Sequence, residues 1–209
     1  PEDLVARAAE LEIPALALLD RDGVYAAPRF HAAAKKAGIR AHLGAEITST
    51  GGQRYALLAE NRAGYQNLCR LVTRMKLGVK KSQGRATTEQ LAAHAQGLIC
   101  LWNTAPTLAE AQRLLDIFGP GNVYAELQRH FHRRQEACNQ AVVEIARRLR
   151  IPLLATNGVC YATPEQHETL DVLTSIRHHV TLDTAGRLLA QNSERHLKSP
   201  AEMARLFSD

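Results

Sequence analysis

The sequence predicts an α/β fold, a barrel in which strands alternate with helices. Short apolar runs recur along its 209 residues. Each is followed by a polar or glycine-bearing turn and then by apolar residues three and four apart, the period of a helix packed on one face. Such alternation argues for a parallel sheet, and five or more units favour a barrel over a three-layer sandwich. The composition agrees: at 45% hydrophobic residues the chain can bury one substantial core, and α/β barrels of about 200 to 250 residues form one domain.

In chain order, PALALLD leads into VYAAPRFHAAAKKAG, with Gly38 as a helix stop. RYALLAE leads into AGYQNLCRLVTRMK, and GLICLWN into TLAEAQRLLDIFG, which Gly119 stops. VYAEL leads into RRQEACNQAVVEIARRLR, and IPLLATN into PEQHETLDVLTSIRHH. Thr163-Pro164-Glu165-Gln166 and Ser199-Pro200-Ala201-Glu202 each set a hydroxyl cap, a Pro at the first helical position and a Gln or Glu three residues after the cap. The segment 77–90, LGVKKSQGRATTEQ, reads as a basic, loop-like stretch where the most mobile backbone is expected. The last helix presents Met203, Leu206 and Phe207 on one side.

Lys and Arg number 26 against 21 acids, a net charge of +5 and a pI near 9.2, compatible with a polyanionic partner. The densest basic stretches, 129–136 and 147–150, also fit the solvent side of an amphipathic helix. Cys69, Cys100, Cys138 and Cys160 are widely spaced and include no C-x-x-C pair, which argues against a disulfide framework or zinc knuckle and for the reducing cytoplasm. No apolar run approaches the ~20 residues of a membrane span. The chain opens on PEDLVARAAEL without a Met and reads as part of something longer.

In a barrel of this type, chemistry sits at the C-terminal strand ends. Those ends carry Asp20, Arg21 and Asp22, then Glu46, Asn103 and Thr104, Gln128 to His132, and Asn157 to Tyr161. Carboxylates and imidazoles from several strand ends are what a metal cluster requires. Each candidate also has a structural explanation. Asp20 and Asp22 fit a turn that uses Asp to hold its own backbone. His130 and His132 fit a helix start or phosphate contacts, and His178 and His179 suit the negative pole of a helix. Cys160 fits a small buried hydrophobe.

Longer runs carry a resemblance. ALALLDRDGVYAAPRFHAAAKKAGIRAHLGAEI, GYQNLCRLVT, ELQRHFHRRQEACNQAVVEIARRLRIPLLATNGVCYATPEQ and IRHHVTLDTAGRLLAQNSERHLKSPAEMARLF resemble the polymerase-and-histidinol-phosphatase (PHP) domain of bacterial C-family DNA polymerases. Within that family they are most similar to the error-prone paralogue of the replicative α subunit. The resemblance implies a distorted (β/α)7 TIM-like barrel over residues 1–209, its first strand outside this chain. Residues 193–209 would be an exit segment leading to the polymerase palm, with thumb and fingers beyond.

Metal-bearing members hold a trinuclear centre. The resemblance places its Asp on Asp20, the Glu of G-x-E on Glu46 and the His after E-x-Q on His130. Elsewhere the pattern departs: Arg21 and Arg54 stand where the family has His, Thr104 where it has Cys or His, and Gly158 and Cys160 where an N-D-x-H turn has Asp and His. A guanidinium at a ligand position repels a metal and can pair with Asp20 or Glu46 instead.

The favoured reading is a catalytically silent scaffold domain, with no metal or other cofactor of its own, in an error-prone polymerase acting in damage-associated mutagenesis and translesion synthesis. Mg2+ would serve the polymerase domains. Implied partners are a DNA primer-template, the downstream domains and mutagenesis accessory proteins, with no membrane. Two alternatives stand: a residual metal-dependent phosphoesterase or 3′–5′ exonuclease using Asp20, Glu46, His130 and Cys160, and a DNA-contacting module in which Arg129, Arg133 and Arg134 are candidate phosphate contacts.

Overall fold

The computed structural model describes residues 1–104 and 106–208. In chain order the elements are α1 (Glu2–Glu10), β1 (Ala15–Arg21), α2 (Ala27–Ala37), β2 (Arg40–Thr48), β3 (Arg54–Ala59), α3 (Arg62–Lys76), α4 (Thr88–Ala93), β4 (Leu98–Trp102) and α5 (Leu108–Phe118). Next come β5 (Val123–Leu127), α6 (Arg133–Leu149), β6 (Leu153–Ala155), α7 (His167–His178), α8 (Leu182–Ala185) and α9 (Pro200–Leu206). The strands form one six-stranded sheet in sequence order, curled into a half-barrel whose edges are β1 and β6.

The expected all-parallel sheet fails at β3. β1 and β2 are parallel, as are β4, β5 and β6, but β3 runs antiparallel to both of its neighbours. The reason is the link before it. Residues 49–53, STGGQ, are too few for a parallel crossover, which takes a dozen residues or more, and they close as a hairpin with Gly52 at φ 83°. The start of β3 therefore joins the C-terminal ends of the other strands, and Arg54 pairs in register with Thr48 at that rim.

Alternation along the strands separates two faces. Ala45, Ile47, Tyr55, Leu57, Cys100, Trp102, Val123 and Ala125 turn toward Leu68, Leu71, Leu114 and Val142 of the helices, forming the larger core. A second core joins Val5 and Ala8 of α1 to Phe30 and Ala34 of α2, with Ile39 and, from far along the chain, Leu197. Val159 packs against this second cluster, so residues beyond β6 reach round to the helices beside β1.

The helix starts and stops follow the sequence. Gly38 takes the left-handed conformation after α2, and Gly119 caps α5 with a positive φ. Ser199 and Glu202 form a capping box on α9; Thr163 and Gln166 form one on a short 3-10 turn that runs into α7. His178 ends α7 and His179 is its left-handed cap. Segment 77–90 differs in part from expectation: its last three residues already belong to α4, whose Thr87–Gln90 capping box fixes the start. The four cysteines are free. Among the described residues, no helix is long and apolar enough to cross a membrane.

Candidate functional site

The rim of the half-barrel carries two groups of polar residues. The first is centred on Glu46, which lies inside β2 and opposite Arg21 in the β1–β2 register. Its Oε2 is 3.8 Å from Arg21 Nε and 3.6 Å from Arg54 Nη1, so two guanidinia flank one carboxylate. All three side chains are roughly half exposed, at 52%, 47% and 40% for Arg21, Arg54 and Glu46. Of the two carboxylates expected to receive an arginine, Glu46 does so.

Asp20 and Asp22 have other work. Asp20 Oδ2 accepts the Ala26 N–H at 2.7 Å, fixing the chain ahead of α2. Asp22, at φ 51°, accepts the Thr48 N–H at 2.7 Å and the Thr48 hydroxyl at 2.9 Å, which pins the β1 exit to the end of β2. They do hold backbone, but six residues on and across to the next strand, rather than within their own turn. Thr104 donates its hydroxyl to the Arg54 carbonyl at 3.3 Å and accepts the Trp102 indole N–H at 2.9 Å.

The second group is built on Glu126, a buried acid in the otherwise apolar run VYAEL. Its carboxylate accepts from the Asn103 amide, from Gln128 Nε2 at 3.1 Å and from the Thr156 hydroxyl at 2.6 Å. His130, in the β5–α6 link, is also buried. Its Nε2 donates to the Asn157 carbonyl at 2.9 Å, and its Nδ1 accepts from Gln135 Nε2 at 3.0 Å. Burial holds the imidazole below its usual range, with the positive charges of Arg195 and Lys198 adding to the effect.

The turn after β6 faces a later stretch of chain. Asn157 Nδ2 donates to the carbonyls of Glu194 (2.8 Å) and His196 (2.7 Å). Arg195 Nε donates to the Gly158 carbonyl at 2.7 Å. The Cys160 N–H donates to the Arg195 carbonyl and the Leu197 N–H to the Tyr161 carbonyl, at 2.9 and 3.1 Å. Gly158 has φ +49°, and a Cβ there would come within 2.7 Å of the Gln128 amide. An Asp at this position would be strained and would meet a side chain already held by Glu126. Cys160 is exposed rather than the small buried hydrophobe expected; partial withdrawal of its thiol from water still pushes it up, Arg195 opposes this, and Glu46 and Arg21 are also close enough to act on it.

Of the predicted positions, the structure therefore brings Arg21, Glu46 and Arg54 together, with Thr104 beside Arg54 and Cys160 near them. Gly158 lies against Gln128, which bonds to Glu126, and His130 bonds instead to Gln135 and Asn157. Glu126 and Arg195 were missed. Glu126 had a signal, a lone acid in an apolar strand on the face shared with Glu46; Arg195 had none, since its partner is 37 residues away.

The three arginines given the candidate phosphate-contact role have different surroundings. Arg129 is 22% exposed and grips protein: Nε and Nη2 donate to Glu136 at 3.2 Å each, Nη1 donates to the Leu206 carbonyl at 2.7 Å, and the guanidinium lies 5.1 Å from the Phe207 ring centroid. It is not poised to track phosphates. Arg133 and Arg134 are exposed at the start of α6, and His132 occupies the cap position there without a side-chain cap bond.

These residues do not fit a trinuclear metal centre. Both ring nitrogens of His130 are engaged, Glu46 faces two fixed cations, and Gly158 offers no donor. No group of three or more His, Cys, Asp or Glu suited to an ion occurs among the described residues.

A half-barrel with its polar groups along one rim places the chain among α/β proteins whose chemistry gathers at the strand ends. The match to the PHP domain model covers residues 1–110, and the chain belongs to that family. Curated relatives are named error-prone DNA polymerase: one from Anaeromyxobacter sp. (strain K) is 42% identical over all of this chain and 20% of its own length. Others from Brucella abortus and Pseudomonas fluorescens are each 33% identical, over 100% and 96% of this chain. The chain spans about a fifth of the length of these relatives. A Bifidobacterium adolescentis structure named as a metal-dependent phosphoesterase shares the fold, with a TM-score of 0.50 at 13% identity over 76% of this chain and 81% of the other.

Proposed function

We propose that this PHP domain serves an error-prone DNA polymerase as a structural module, holding the segment that leads onward to the palm domain rather than carrying out chemistry. The reading extends to residues 1–209, with residues 193–208 as the described part of the exit; Asp209 lies outside the described residues. The single observation that carries it is the turn after β6. Where catalytic relatives would present ligands, Asn157, Gly158 and Cys160 spend their polar groups on residues 194–196. Arg129 extends the same grip to α9. The relatives' names support the polymerase context; a primer-template substrate, damage-associated synthesis and a cytoplasmic setting are part of the proposal.

The test is primer extension by the full-length enzyme. Asn157→Ala with Leu206→Ala should lower activity or stability, while Asp20→Ala with Glu46→Ala should leave nucleotide incorporation nearly intact. The reverse pattern would overturn the scaffold assignment in favour of a chemical one. Elemental analysis is an independent check, since one zinc or manganese per chain retained after dialysis against chelator would promote the phosphoesterase alternative.

A further inference from the structure

Between Glu60 and Glu89 the chain carries seven Lys and Arg side chains and no Asp or Glu. The whole chain has a net charge of only +5, so outside this stretch acids outnumber bases. The structure gathers these charges on one side of the molecule. Arg62, Arg70, Arg74, Lys80, Lys81 and Arg85 are exposed on α3 and on the loop that follows it. Among the described residues none of the seven forms an ion pair. Arg70 and Arg74 stand one helical turn apart beside an open groove lined also by Thr73, Leu77 and His94.

The basic face continues to the rim. Lys76 donates to the Tyr25 hydroxyl at 2.6 Å and sits 4.9 Å from its ring centroid, and Tyr25 is itself 72% exposed. Ala86, at the far end of the loop, pairs with Ser49 at the end of β2. Cations without an acidic partner, on a helix about 22 Å long and the loop after it, suit a regularly charged polyanionic chain.

We propose that α3 and the 77–86 loop form a binding face for the phosphodiester backbone of nucleic acid, distinct from the Arg129 region. The choice of nucleic acid among polyanions rests on the polymerase reading above. The binding test does not: it uses this chain alone, so loss of DNA binding with intact scaffold behaviour would remove only this inference.

Fluorescence anisotropy of a labelled 20-base-pair duplex would be measured against this chain between 50 and 200 mM NaCl. Replacing Arg70, Arg74, Lys80 and Lys81 together by Gln should weaken binding about tenfold or more at the lower salt and reduce the slope of log K against log salt by about 3 to 4. Arg74→Gln with Lys81→Gln should give about half that slope change, which protects the test if the fourfold variant folds poorly. Neutralising Arg133, Arg134, Arg147 and Arg148 should cost about threefold or less, as a change in general charge alone. Equal losses from the two fourfold variants, or polyglutamate competing as well as the duplex, would overturn the proposal.

Discussion

Arg129 donates to the Leu206 carbonyl at 2.7 Å, joining residues 77 positions apart in the sequence. The same guanidinium is anchored by Glu136 and faces Phe207, so an arginine from the β5–α6 link clamps the end of α9. Charge-assisted hydrogen bonds of this kind contribute about 1.5 to 3 kcal/mol when well formed. Arg129→Met should therefore release α9 before the barrel itself loosens. Limited proteolysis should show faster cleavage within 199–207 with little change elsewhere; an unchanged cleavage pattern would mean the clamp is idle.

The Glu46 group should be energetically modest. Had the pairing been well buried, Arg21→Ala would leave a stranded charge and cost on the order of 3 kcal/mol. The three side chains are instead half exposed, and solvent screening limits each pair to about 1 kcal/mol or less. Thermal melts of Arg21→Ala and Arg54→Ala should show small shifts, each shrinking further in high salt. A loss near 3 kcal/mol in either would show that the group is shielded from water.

His130 should make stability depend on pH. Burial lowers its folded-state pKa below the usual histidine value, so below about pH 6.5 the unfolded chain binds the proton more readily. Its contribution is then fully present above the unfolded pKa and is lost as pH falls toward the folded one. Urea denaturation should show wild-type stability falling between pH 7.5 and 5.5, and His130→Gln should lose part of that dependence. The same slope in both proteins would assign it to other histidines.

Restoring an acid to the turn should be costly. Gly158→Asp places a side chain at φ +49° against Gln128, and non-glycine residues in such regions cost about 1 to 3 kcal/mol. Chemical denaturation should find that loss, and Gln128→Ala in the same chain should recover the steric part. A neutral Gly158→Asp would mean that the turn re-forms freely.

Much of the fold was legible because it rests on local periodicity. Strand-helix alternation located every strand but β2, which no helix separates from β3, and the hydroxyl, Pro and Gly signals found the starts of α9 and the 163–166 turn and the ends of α2 and α5. The reversal of β3 was legible too, in the Gly51-Gly52 link, but the repeating pattern outweighed it. The site was harder. The resemblance placed Arg21 and Arg54 at the site but left Asp20 and Glu46 both open as partners, and the strand register then decides for Glu46. The Asn157 and Arg195 contacts join segments 37 to 39 residues apart through backbone carbonyls, and carbonyls have no residue-type signature. Arg129 looked like a solvated cation for the same reason.

The bonds between residues 157–161 and 194–197 also define a load path. They lie close together along both segments, and two are backbone bonds at 2.9 and 3.1 Å. A pull applied through α9 would reach them as shear across the whole set, so they would share the force instead of opening singly like a zipper. The Arg129 clamp lies nearer the point of pulling and would yield first. Motion of α9 would thus be absorbed at one arginine before it disturbed the rim of the half-barrel.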